Sequence, residues 1–126
     1  MAMAESENLR RGEEVRRQLG MDLGASSHRY DDIDPEFSAE IDKYLSEACF
    51  GGAWARPGLD LKTRRLLTLA MVAALGRERQ LRAHITGALQ QGISRQEVLE
   101  TLVHVIPYAG FPAGLTALEV FREVTK

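Results

Sequence analysis

The stretch Leu66-Leu-Thr-Leu-Ala-Met-Val-Ala-Ala-Leu75 constrains the fold more than any other part of the chain. Asp60 stands before it as a candidate helix cap, and Gly76 follows it. Wound as a helix, the stretch is apolar on every side. Such a helix is buried all round, so it requires cover from other helices or from another subunit. It is far too short to span a bilayer. No segment alternates with period two for long enough to form a strand. The expected fold is therefore all-α, a compact helical domain with a helical hairpin at its core.

The rest of the chain supplies the other helices. Residues 1–7 are small or acidic and are expected to fray. A short charged helix is predicted from Asn8 to Leu19, with Gly20 suited to its end. Gly24 to Asp32 is polar and reads as a connector. Asp34-Pro35-Glu36 is a strong helix start: a capping acid, a proline at the first helical position, then a second acid. Phe37, Ile41, Tyr44, Leu45 and Ala48 then form an amphipathic stripe. Gly51-Gly52 is predicted to break that helix, leaving Trp54 to Asp60 as a structured loop. The apolar helix runs from Leu61 to about Gly76. The next runs from Glu78 to Gln91, with Gly92 ending it. Ser94-Arg-Gln-Glu97 is a capping box opening a helix to about Ile106. Pro107 and Gly110-Phe-Pro112 are predicted to interrupt the chain before a last helix, Ala113 to Val124. Residues 1–126 are read as one domain.

The 126 residues carry a net charge of −2, with both signs mixed along the chain, and no basic patch of the kind a nucleic-acid surface needs. The single cysteine, Cys49, cannot form an internal disulfide, and no Cys/His cluster has zinc spacing. The N-terminal residues show no basic segment leading into an apolar one. A soluble, cytoplasmic protein without membrane or nucleic-acid partners is the expectation.

His84 is the most informative polar residue. Leu81, His84, Ile85 and Ala88 fall on one helical stripe, so an imidazole points where the apolar face points. A buried imidazole must find a partner, and near neutral pH it can also carry a proton to or from a substrate. Two readings stand at this stage: a core histidine satisfied by a backbone carbonyl, or a catalytic group. Arg64 and Arg65 lie on the first turns of the apolar helix, where cations oppose the helix dipole. Pairing with Asp60 or a neighbouring subunit would compensate them, and so would an anionic ligand, which Arg56 is also placed to meet. Trp54 is either a lid over a pocket or a plug on the core. Glu100 and His104 are four apart and can meet on one helix face, as a surface pair or as groups that orient a site. His28 is expected to be solvated, and Cys49 to be a small packing residue.

Taken in order, Trp54-x-Arg-Pro-Gly-Leu, Lys62-Thr-Arg-Arg, His84-x-x-x-Ala88-x-x-x-Gly92, Glu97-x-x-Glu100 and Tyr108-x-Gly110-x-Pro112 resemble the carboxymuconolactone decarboxylase family. The early Gly12-x3-Arg16-x2-Leu19-Gly20 resembles its usual opening. The resemblance implies an alkylhydroperoxidase D-like helical fold, assembled as a homotrimer or homohexamer. One branch of the family uses Cys-x-x-Cys before the histidine for peroxide or disulfide chemistry. Here the matching positions are Arg77 and Gln80, and the assisting acid falls on Arg65, so that chemistry lacks its thiols and its base. The other branch resembles 4-carboxymuconolactone decarboxylase, a lyase of aromatic catabolism that needs no metal and no organic cofactor. Departures from that branch are Gly52 where a Glu is common, Met21-Asp-Leu-Gly after Leu19-Gly20, and Gln80 where an acid is usual.

The resemblance thus implies a small carboxylated lactone or related carboxylate as substrate. His84 is the candidate catalytic proton donor. Arg56, Arg64 and Arg65 are candidate carboxylate anchors, Trp54 and Tyr108 candidate pocket walls, and Glu100 and His104 candidate orienting residues. A binding or assembly protein on the same scaffold is the competing class, favoured by Gly52.

Overall fold

The computed structural model describes residues 6–21 and 28–126; the connector predicted at 24–32 lies partly outside them. The described residues are helical, with no strand among them, as the absence of period-two alternation requires. The chain forms two compact units, Met1–Leu59 and Asp60–Lys126.

In the first unit, α1 spans Glu7–Gln18 and α2 spans Pro35–Tyr44. Ser6 caps α1 by accepting from the Leu9 amide, so the helix begins within the segment expected to fray. Asp34 caps α2 at the Phe37 amide, with Pro35 at its start, as predicted. The chain does not break at Gly51-Gly52. It continues from α2 into a π-helix, Leu45–Trp54, that runs through both glycines. These glycines serve close approach rather than termination. A Cβ on Gly51 would lie 1.8 Å from the Asn8 carbonyl oxygen, and one on Gly12 would lie 1.8 Å from that of Ser46. Backbone thus meets backbone where α1 crosses the π-helix.

The wider π turn also redirects the amphipathic stripe. Hydrogen bonds from residue i to i+5 advance more residues per turn than an α-helix does, so a stripe set in α2 does not stay on one face beyond Leu45. Before that turn, within α2, Phe37 and Tyr44 are already 44% and 66% exposed while Ser38 is buried, and Ser46 is buried in the π-helix. Ser38 accepts from the Tyr30 amide at 2.8 Å, and Ser46 serves Arg16, whose side chain is fully enclosed. It donates to Ser46 Oγ at 2.7 Å and pairs with Asp42 at 3.0 Å.

In the second unit, α3 (Leu61–Leu75) and α4 (Glu78–Gln90) form the predicted hairpin. Asp60 caps α3 through the Thr63 amide at 2.7 Å. Gly76, at φ +73°, turns the chain between the two helices, and Gly92, at φ +93°, ends α4. At Gly92 the Ile93 amide reaches back to the Ala88 carbonyl, a left-handed cap that a side chain would strain. The capping box at Ser94 and Glu97 opens α5, Arg95–Ala109.

Helix α5 passes through Pro107 instead of stopping at Ile106. The proline is exposed and lies in the last turn, so the missing N–H removes one hydrogen bond near a frayed end. Gly110, at φ +97°, makes the real break, and α6 (Phe111–Val124) starts directly after it. Leu69, Leu81, Ile85, Val98, Leu102 and Phe121 anchor the core of this unit.

Within the single chain, the other helices cover only part of α3. Arg65, Leu69 and Ala73 form its buried stripe. Leu67, Met71 and Leu75 form a second stripe that is 42%, 58% and 67% exposed. Among the described residues, no helix is long and apolar enough to cross a membrane.

Candidate functional site

Arg65 and His84 meet inside the second unit. Arg65 projects from the buried stripe of α3 and is only 4% exposed. Its Nη1 lies 2.7 Å from His84 Nδ1, and its Nε donates to Gln91 Oε1 at 3.0 Å. A guanidinium has donors and no acceptor. Nδ1 of His84 is therefore the acceptor, and the proton of the neutral ring sits on Nε2. The partner at Nδ1 of His84 is a guanidinium.

Gly87 completes the socket. A Cβ there would come within 2.8 Å of both terminal guanidinium nitrogens. Gly87 and Gln91 follow His84 at i+3 and i+7, so one face of α4 carries the histidine, the gap and the amide that receive Arg65. Sequence reasoning singled out Arg65 and His84 but missed Gly87 and Gln91. The signal was available: a glycine and an amide at helical spacing from a histidine on a buried face.

The electrostatics follow from this packing. Burial, and then the Arg65 charge, lower the His84 pKa to about 4 from its ordinary 6.5. A ring with so lowered a pKa is neutral at physiological pH in the free protein. Burial also pulls the Arg65 guanidinium below its ordinary value, although it stays cationic at neutral pH.

A stability prediction follows. Between pH 6.5 and 4 the unfolded chain takes up a proton at His84 that the folded chain refuses. The associated stability is present above pH 6.5 and lost as pH falls toward 4, up to about 3 kcal/mol by linkage. Urea unfolding of wild type and His84→Gln at pH 7 and pH 4.5 should show the larger acid loss in wild type. Equal losses would contradict a neutral, buried His84.

The remaining candidates lie elsewhere. Arg64 is half-buried on α3, while Lys62 pairs with Glu97. Glu100 is exposed on α5 and accepts from Gln96 at 3.2 Å. His104 is exposed and stacks at 5.4 Å on Tyr108, which is itself 84% exposed. In the first unit, Trp54 is buried against Phe50, with ring centroids 5.4 Å apart, and Arg56 is exposed beyond it. His28 is exposed and 2.8 Å from Asp31. Cys49 is a half-buried free thiol whose pKa burial raises, the reverse of an activated thiolate. A cleft of about 250 Å³ near Gly76 is lined by Ala73, Leu81, Ala117 and Glu78. Among the described residues its charged wall is the Glu78 carboxylate, which disfavours an anionic ligand.

What the Arg65 and His84 arrangement offers chemically is an enclosed cation able to pair with a carboxylate, beside an imidazole. Comparison with known proteins bears on the same region. A sequence model described as the Carboxymuconolactone decarboxylase family matches residues 39–123. A protein named 4-carboxymuconolactone decarboxylase, from Acinetobacter baylyi, is 37% identical over 91 residues, covering 72% of this chain and 68% of that one. A nitrosuccinic acid decarboxylase from Metarhizium robertsii is 33% identical over 87 residues, 69% of this chain and 61% of the relative. An uncharacterized 15.0 kDa protein of Paracoccus denitrificans is 38% identical over 82 residues, again 61% of its length.

Proposed function

The chain belongs to the carboxymuconolactone decarboxylase family, and from that membership we propose that it is a cofactor-independent decarboxylase of small carboxylates, with Arg65 and His84 at its reacting centre. The observation that carries this reading is the buried guanidinium of Arg65 held 2.7 Å from the His84 ring. Relatives named for decarboxylation of a carboxymuconolactone and of nitrosuccinic acid support the reaction class. Both names describe small carboxylic acids that have an electron-withdrawing group to receive the electrons left by CO2. A carboxylated lactone of the kind formed in aromatic catabolism is the substrate we favour.

The chemistry asks little of the protein. The carbon–carboxylate bond breaks, its electron pair moves into the conjugated carbonyl, and the carbon is then protonated. A guanidinium can hold a carboxylate with two parallel hydrogen bonds. A positioned proton donor contributes about 10²–10⁴ in rate, and His84 is the group proposed for it. Arg64, next to Arg65 on α3, is proposed as a further carboxylate contact. The test is turnover of a panel of carboxylated lactones and nitro-substituted dicarboxylates, followed by CO2 release and ultraviolet loss of the conjugated product or substrate band. No turnover across the panel, with no dicarboxylate binding, would favour the binding or assembly reading, for which Gly52 is the supporting departure. Thiol-dependent peroxide chemistry gains no support, since Arg77 and Gln80 stand at the cysteine positions and the Cys49 thiol is pushed up.

We further propose that the Leu67, Met71 and Leu75 stripe is covered by another copy of the chain, in a homotrimer or homohexamer. Contiguous exposed apolar side chains on one helix face are the usual mark of such a contact. Met71→Glu should dissociate the assembly in light scattering with the helical spectrum kept. A wild type that is monomeric at micromolar concentration would contradict the proposal.

A further inference from the structure

The reading above leaves a difficulty: a neutral imidazole whose proton sits on Nε2 is a weak acid, and its other nitrogen is occupied by Arg65. The same contact suggests how the difficulty is resolved. We propose that Arg65 is a tautomer lock on His84, and that a substrate carboxylate, by drawing the guanidinium onto itself, frees Nδ1 to take a proton, so that the imidazole becomes an effective acid only when the site is occupied. The proposal rests on the carboxylate-binding reading of this site and adds its regulation.

The geometry confines the lock. Gln91 holds the Nε edge of the guanidinium at 3.0 Å, and Gly87 leaves room for its terminal nitrogens and little more. The guanidinium is a rigid plane, so release requires it to tilt as a unit about the Nε contact. A carboxylate is a stronger acceptor for the terminal nitrogens than a neutral imidazole, because both partners are then charged. Its negative charge also offsets the burial that pulls the Arg65 pKa down. The same two influences that hold His84 neutral, burial and the neighbouring cation, are then opposed by the bound anion.

Several charged groups on the neighbouring helices have other engagements. On α3, Lys62 pairs with Glu97 of α5. On α6, Glu123 pairs with Arg82, which lies about half a turn round α4 from His84. On α5, Glu100 bonds to Gln96, and His104 stacks on Tyr108.

The proton inventory closes. Solvent supplies one proton to Nδ1. CO2 leaves, and its electron pair is held in the conjugated carbonyl. Nε2 then gives its proton to the carbon, leaving a neutral ring protonated on Nδ1. Arg65 cannot re-engage that tautomer until water exchanges the proton back to Nε2, so the lock re-forms only after product has left. The net change is one proton consumed and one CO2 released.

The test is nitrogen-15 histidine spectroscopy on the full chain, with His84 identified by the signal lost in His84→Gln and succinate as the probe anion. Free wild type at pH 7 should show the Nε2–H form. Saturating succinate should raise the His84 titration midpoint by about 1 unit or more. Arg65→Met should raise it without succinate and abolish the response to succinate. An Nδ1–H form in free wild type overturns the lock, as does an unchanged midpoint in Arg65→Met. Succinate that binds by calorimetry yet leaves the His84 midpoint unmoved overturns the release alone. Succinate that does not bind removes the carboxylate reading and the release together. Should Arg65→Met fold poorly, the wild-type spectra with and without succinate still decide.

Discussion

Replacing His84 by Gln is expected to reduce turnover of a cognate carboxylate by about 10²–10⁴-fold while leaving the helical fold intact. Gln is the informative replacement. Its amide oxygen can still accept from Arg65, so the guanidinium keeps a neutral partner in its socket, but the side chain cannot titrate. A structural histidine would give a different pattern: a loss of stability with kcat preserved. Reading kcat and KM separately distinguishes the two. Loss of a proton donor lowers kcat at nearly constant substrate affinity, because the interaction is made only in the transition state. Full activity in His84→Gln would make another group the proton donor.

The second large effect is expected at two adjacent glycines with opposite outcomes. Gly51→Ala places a Cβ 1.8 Å from the Asn8 carbonyl oxygen, whereas Gly52→Ala places one 3.6 Å from that of Glu47. The first contact is backbone against backbone, so no side chain can swing aside. Helix α1 must lift from the π-helix, and the environment of Arg16 opens with it. A loss of about 3 kcal/mol or more is expected for Gly51→Ala, or on the order of 10 °C in melting temperature. Gly52→Ala makes an ordinary contact and should change stability by about 0.5 kcal/mol or less. Thermal unfolding of the two variants side by side checks this. Equal destabilisation would mean that α1 does not pack on the π-helix at this point. The same geometry explains why position 52 can carry a side chain, such as the Glu common in the decarboxylase branch, without a change of fold.

These glycines also mark where the sequence was legible and where it was not. Caps at Asp34, Asp60 and Ser94 and the turns at Gly76 and Gly92 depend on local chemistry, and local chemistry is written in adjacent residues. Gly51-Gly52 looked like a breaker because the sequence does not say that another backbone arrives there. Pro107 looked like a stop for a related reason: in the last turn of a helix, on its exposed side, a missing N–H costs little. The stripe of Phe37, Ile41 and Tyr44 has the right α-helical period, yet Phe37 and Tyr44 stay exposed within α2 itself, because a period does not say which neighbour will cover a face.

The candidate site divides in the same way. His84 was visible as a polar residue on an apolar face, and Arg65 as a cation on a buried helix. Their contact spans 19 residues of sequence, and spacing rules do not reach that far. Arg16 entered only through its motif. Its burial beside Asp42 and Ser46 is a tertiary fact, and it shows that an arginine enclosed in this protein can be structural when a carboxylate of the same unit answers it.

The central claim is that a substrate carboxylate sits on Arg65 beside His84. The most direct measurement is a crystal structure of the protein bound to an unreactive dicarboxylate. The expected result is a carboxylate within about 2.7–2.9 Å of the Arg65 terminal nitrogens, with the reacting carbon facing the His84 ring. A dicarboxylate bound at a site formed by neither Arg65 nor His84 would contradict the account.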